Sequence, residues 1–371
     1  MNKKTWLLPQ AVFDGQTLQT EAAICIVDGV VERVQPASEA PVGAKAVVGI
    51  VSPGLIDLQV NGGGGVLFNA TPTVAGMDKI AAAHRVFGTT AILPTIITDA
   101  PEILAQAVEA VIAAQPKAGL LGLHIEGPHI SLSRRGTHAA QYVRPMDDAT
   151  LAQVSRLRDA HIPVMITVAP EAITNEQISQ LAAMGAVVSI GHSDATFHEA
   201  RAAIEAGVSC ATHLFNAMSP MLNRAPGVTG AVINSSVYAG LIVDGIHVDD
   251  EMIALARRAR PEKEQLFLVS DAMPTVGGPS HFSLYSHEIS VKDGRLVNAE
   301  GSLAGAHLTQ AEGLYRYANV IGVPYEEALR AVITVPAEVI GCPALARIVG
   351  RPASDLIRLS SDLRFEGYLD L

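Results

Sequence analysis

Eight short apolar runs bounded by Gly or Pro, with helical periodicity between most of them, predict an α/β protein built as a (β/α)8 TIM-like barrel. Their spacing agrees: between Leu55 and Val269 each strand–helix unit averages roughly 27 residues, near the ~30 of a barrel of ordinary size. No G-x-G-x-x-G follows the first run, which removes the main support for an open doubly wound sheet. Short β segments at both ends of the chain are expected to build a small β-sandwich domain. That domain is assigned to residues 1–50 and 345–371, and the barrel to 51–344.

The elements follow in order. Ala23–Val27 and residues 30–34 alternate apolar and polar side chains around Asp28-Gly29, a strong hairpin turn pair. Barrel strands are expected at 55–60, 90–96, 120–125, 164–168, 187–190, 210–214, 239–243 and 266–269. Among the helices, 101–114 opens with Pro, 147–160 opens with acidic residues and 195–206 stops at Gly207. Past the last strand, 282–303 reads as a hairpin turning at Lys292-Asp293-Gly294-Arg295, followed by helices near 308–321 and 325–340.

The chain has 371 residues, 49% of them apolar, enough for a sizeable core. With 26 Lys+Arg against 37 Asp+Glu the net charge is −11, which argues against nucleic acid or an anionic membrane as partner. A few local cations still suffice for one phosphate. Cys25, Cys210 and Cys342 are too few and too scattered for a disulfide framework, and Cys210 reads as a small core residue. The apolar run at Trp6-Leu7-Leu8 ends at Pro9, too short for a signal core, and no run approaches the roughly 18 residues of a membrane span. A cytoplasmic protein is expected.

Functional side chains of a barrel come from strand ends and the loops after them. Polar residues fall there repeatedly: Gln59 and Asn61, Thr95, Glu126, Glu171, His192, His213, Asp244 with His247, and Asp271. Glu126, His192 and His213 form the sharpest set, because two imidazoles and a carboxylate with an open position make a catalytic site for a divalent metal. The bland alternative is two capped histidines and a satisfied carboxylate. Asp271, in Val-Ser-Asp-Ala, is then the natural general base, or else a helix cap. Gln59 and Asn61 either orient a water or satisfy backbone groups. His138 is a carbonyl-polarising candidate or an exposed loop histidine, Arg224 a phosphate fork or a solvated loop cation, and His124 a core group.

Several segments together resemble the N-acetylglucosamine-6-phosphate deacetylase family of the amidohydrolase superfamily. They are residues 52–62 (Ser-Pro-Gly-Leu-Ile-Asp-Leu-Gln-Val-Asn-Gly), Gly122–Pro128, Gly136-Thr137-His138, Gly191-His192-Ser193, Thr212–Met218, Asp244-Gly245-Ile246-His247 and Ser270-Asp271-Ala272. They occur in the family's order between about 50 and 340. The resemblance implies a metal-dependent hydrolase that converts N-acetylglucosamine 6-phosphate to glucosamine 6-phosphate and acetate. It makes Glu126, His192 and His213 the ligands of one divalent ion per subunit. Zn²⁺ is the first expectation, and Fe²⁺, Mn²⁺ and Co²⁺ suit the same donors. Asp271 becomes the catalytic acid/base and His138 sits at the acetyl carbonyl. Asn216 and Ala217, through backbone N–H groups, and Arg224 hold the phosphate, and His247 meets the sugar. Leu303, Ala304 and Gly305 match a loop closing on the substrate, which Thr137 lines. A homodimer is implied, with Arg224 reaching toward a neighbouring subunit. Gln59-Val60-Asn61 replaces the His-x-His of many superfamily members, which points to the single-metal branch. Two other readings compete: a sibling enzyme acting on another N-acyl amine such as N-acetylgalactosamine 6-phosphate, and a non-catalytic sugar-phosphate binder.

Overall fold

The barrel strands are β1 (Leu55–Val60), β2 (Thr89–Ile97), β3 (Leu123–Glu126), β4 (Val164–Val168), β5 (Val187–Ile190), β6 (Cys210–Ala211), β7 (Tyr238–Leu241) and β8 (Leu266–Leu268). They come from a computed structural model that describes residues 3–115, 117–297 and 303–370. All pair in parallel with their chain neighbours in one eight-stranded sheet. The ring is closed just beyond β8, where Asn61 and Gly62 both donate backbone N–H groups to the Ala272 carbonyl at 2.9 Å. The barrel expected from the sequence is therefore the fold. β4 shows why the apolar runs announced it: Val-Met-Ile-Thr-Val is buried throughout, as a strand covered on both faces must be.

Two strands depart furthest from their expected spans. Residues 210–214 leave the strand after Ala211 because His213 adopts a left-handed φ of +30°. Residue 120 keeps only a single bridge to Ile92, and β3 begins at Leu123.

Helix signals were legible. Pro101–Ala114 coincides with its expected span. Asp147 caps Asp148–Asp159 by accepting from Thr150 N–H, and a Thr196/Glu199 capping box starts Phe197–Ala206. The expected helix over 325–340 is two helices, Tyr325–Val332 and Thr334–Val339, broken at Ile333. Pro336 lacks the N–H that a continuous helix would bond to the Val332 carbonyl.

Strands from both chain ends hydrogen-bond in one seven-stranded sheet, with Leu356–Leu359 antiparallel to Lys45–Pro53. Alternation along the strands divides its faces. Leu7, Val51 and Leu356 pack in a core of their own, whereas Phe13, Ile50 and Ile357 join the barrel core. The segment expected as a hairpin is a three-stranded antiparallel flap, His281–Leu284, His287–Lys292 and Arg295–Val297, turning at Asp293-Gly294 as expected. The rest of that expected span, 298–302, lies outside the described residues. The flap packs Leu284, Ile289 and Leu296 onto Ile97 and Met273, beside the mouth of the barrel. No helix among the described residues is long and apolar enough to cross a membrane.

Candidate active site

Glu126 is the last residue of β3. His192 and His213 follow β5 and β6, and Asp271 follows β8. The last three have left-handed backbones, with φ of +48°, +30° and +50°. Such conformations cost a non-glycine residue roughly 1–3 kcal/mol and persist where the surroundings impose them, often at functional sites. They turn each chain out of its strand, so that the side chains converge over the C-terminal face of the barrel.

The Nε2 atoms of His192 and His213 lie 3.1 Å apart. Glu126 Oε1 is 3.3 Å from the first and 3.0 Å from the second. Zinc–ligand bonds of about 2.0–2.1 Å at tetrahedral angles space donor atoms by ~3.3 Å, so the triad has the dimensions of a metal cage. The tautomer fits too. His192 Nδ1 lies 2.8 Å from the Arg134 carbonyl, which only accepts, so its proton sits at Nδ1 and its Nε2 lone pair faces the other two donors. His213 Nδ1 is buried with no partner among the described residues.

Asp271 stands beside the triad. Its Oδ1 accepts from Asn61 Nδ2 at 2.6 Å and from Gln59 Nε2 at 3.2 Å, and the same Gln59 amide donates to Glu126 Oε1 at 3.0 Å. The place the structure gives Gln59 and Asn61 is thus to hold the two carboxylates. Burial, reinforced by the Glu126 charge, pushes Asp271 up to about 6. Burial opposes ionisation of Glu126 as well, but the hydrogen bonds and charge that the two histidines supply when protonated outweigh it and keep its carboxyl well below the usual range. Neither Lys nor Arg is among the residues lining the cavity, so apart from the histidines the two buried carboxylates have no cation beside them. A divalent ion held by the triad would supply positive charge there.

The cavity holds about 180 Å3. Beyond the triad, Asn61 and Asp271, its walls include Thr137, His138, Asn216, Ala217, His247, Leu303 and Gly305, all expected from the sequence. Burial and the neighbouring His192 push His138 down to about 3, so its ring is neutral. His247 donates from Nδ1 to Asp244 Oδ2 at 2.6 Å. Burial raises the cost of the Asp244 charge, yet His247 and the Ile246 and His247 N–H groups hold its carboxyl below the usual range.

Residues 50–344 match the amidohydrolase family. The chain belongs to that family. Among curated relatives, the N-acetylgalactosamine-6-phosphate deacetylase of Shewanella sp. (strain ANA-3) is 39% identical over 85% of this chain and 80% of its own. The N-acetylglucosamine-6-phosphate deacetylase of Haemophilus influenzae is 34% identical over 86% of this chain and 85% of its own. Among solved structures, the N-acetylglucosamine-6-phosphate deacetylase of Pasteurella multocida superposes with a TM-score of 0.90 at 33% identity, covering 99% of this chain and 98% of that one.

Of the expected substrate-binding positions of this amidohydrolase, two do not line the cavity and a third lines it without a free backbone N–H. Arg224 does not line the cavity; it lies in an exposed turn closed by Leu222 and Ala225. Ala304 is buried with Leu296 beneath the flap, and only its neighbours Leu303 and Gly305 reach the cavity. The Asn216 N–H donates to the His213 carbonyl at 2.9 Å, because the left-handed His213 folds the chain back on itself, so that N–H is not free for a phosphate. Sequence reasoning missed Thr98, whose hydroxyl lies 2.8 Å from His138 Nδ1. Thr98 carried the signal already used for Thr95: a polar residue at the end of a barrel strand.

Proposed function

We propose that the protein hydrolyses the acetamide of N-acetylglucosamine 6-phosphate, releasing acetate and glucosamine 6-phosphate. The observation that carries this reading is the convergence of Glu126, His192 and His213 beside Asp271, in a cavity whose chain has deacetylases of 6-phosphorylated N-acetylhexosamines as relatives. A non-catalytic binder has no use for the Asp271 carboxylate held by two amides.

Glu126, His192 and His213 would hold one divalent ion, zinc on the donor set, which acidifies a water and polarises the carbonyl when bound. Asp271, aimed by Asn61 and Gln59, takes the proton of the attacking water. It returns that proton to the leaving nitrogen, which otherwise departs as a poor amide anion. Neutral His138 donates a hydrogen bond to the carbonyl oxygen as negative charge gathers there. His247, oriented by Asp244, meets a sugar hydroxyl. Thr137 Oγ1, buried and without a partner among the described residues, is free to bond the substrate. Ala217, rather than the backbone of Asn216, offers an N–H to the phosphate.

A phosphate in this cavity needs a cation that its own walls lack. We infer that Arg224 supplies it from a second copy in a homodimer, since it is exposed and flanked by Met221 (43% exposed) and Leu222 (58%). We place the enzyme in the cytoplasm, where sugar phosphates are made and used.

The deciding assay is acetate release from N-acetylglucosamine 6-phosphate before and after chelation, with metal added back. Activity that survives full metal removal refutes the proposal. The Shewanella relative favours a second reading, N-acetylgalactosamine 6-phosphate as substrate, and kcat/KM for the two epimers separates them.

A further inference from the structure

We propose that Thr98 is a positioning residue that fixes the tautomer of His138 and so directs its Nε2–H at the substrate carbonyl. This deepens the reading above and rests on the role it gives His138. Thr98 follows β2 directly and is buried. Its hydroxyl lies 2.8 Å from His138 Nδ1, and its backbone N–H donates to the same nitrogen at 3.4 Å. A backbone N–H only donates, which marks Nδ1 as an acceptor, but at 3.4 Å that bond is weak, and the 2.8 Å hydroxyl bond does most to keep the proton off Nδ1. The ring is then neither an imidazolium nor the Nδ1–H tautomer, and its one proton sits on Nε2.

Two neighbours hold Thr98 in that place. The Tyr285 hydroxyl, at the tip of the flap, donates to the Thr98 carbonyl at 2.5 Å. Gly127 sits against the Thr98 hydroxyl with a left-handed φ of +79°, and a Cβ there would come within 2.2 Å of Oγ1. The Glu126 carbonyl, 3.5 Å from Oγ1, is a much longer alternative for the hydroxyl proton than His138. Thr98 therefore joins the flap, the end of the strand that carries Glu126, and the imidazole facing the carbonyl. The opposite tautomer would turn a lone pair toward a developing oxyanion, which repels it.

The test is Thr98→Val, which keeps shape and removes the hydroxyl. We expect kcat to fall about tenfold, the worth of one hydrogen bond, with KM and bound metal unchanged, and Thr98→Ser to restore most of the rate. In a His138→Asn background, Thr98→Val should cost less than twofold more, because the group it orients is gone. Ring ¹⁵N NMR of the substrate-free protein should find His138 Nδ1 unprotonated, and a new Nδ1–H population in Thr98→Val. Wild-type kcat in Thr98→Val, losses that multiply in the double variant, or an Nδ1–H ring in the wild type would each overturn the inference. If the wild type releases acetate from neither sugar phosphate, the proposed function fails, and the NMR comparison still judges what Thr98 does to the ring.

Discussion

Asn61 donates its side-chain amide to the Asp271 carboxylate at 2.6 Å, across the seam where the barrel closes. The bond ties the first strand to the last at the point where the proton is to be handled. It leaves the carboxylate with one oxygen held and the other available.

Replacing Asp271 with Asn removes the proton acceptor and keeps the shape. Turnover should fall by at least about 10², the ordinary worth of general acid–base catalysis, while metal content measured by elemental analysis stays the same. A variant with near-normal kcat would remove Asp271 from the chemistry.

Glu126→Gln should act differently. It leaves the two imidazoles with a neutral oxygen in place of a charged one, so metal affinity falls, by about 10-fold or more on the scale of a disturbed ligand set. Saturating metal should recover part of the activity of this variant and none of that of Asp271→Asn. Competition with a chelator, read beside the acetate assay, distinguishes the two.

The pH profile follows from Asp271. Its carboxyl is raised to about 6 by burial and by the Glu126 charge, and a bound cation lowers it again. The ionised form is the active one, so kcat/KM should be fully present at higher pH and fall with a single proton as pH drops, with a midpoint at or below about 6. An acid limb that persists unchanged in the residual activity of Asp271→Asn would assign it to another group.

Much of this was readable along the chain. The apolar runs announced the strands because a parallel strand buried on both faces has no polar side to alternate with. Caps such as Thr196 with Glu199 are local hydrogen bonds between residues three apart, so they show in any window of sequence. The triad was legible because barrel strands deliver their ends to one face: a carboxylate and two histidines at three strand ends had to share a mouth. The break at Ile333 was weaker in the sequence, since the apolar period runs through it and only Pro336 marks it.

What the linear order could not contain is which polar group bonds which. Asn61 and Asp271 are 210 residues apart, and Thr98 and His138 are 40 apart, so their pairing exists only once the barrel has closed and the loops have settled. The same holds for Arg224, whose distance from the cavity is set by where its turn is carried, and for the left-handed backbones of His192, His213 and Asp271, which packing imposes against their own preference. Residue type and spacing chose the fold and the reagents of the site; long-range closure chose their partners, because a hydrogen bond depends on separation in space and on direction, neither of which a sequence separation specifies.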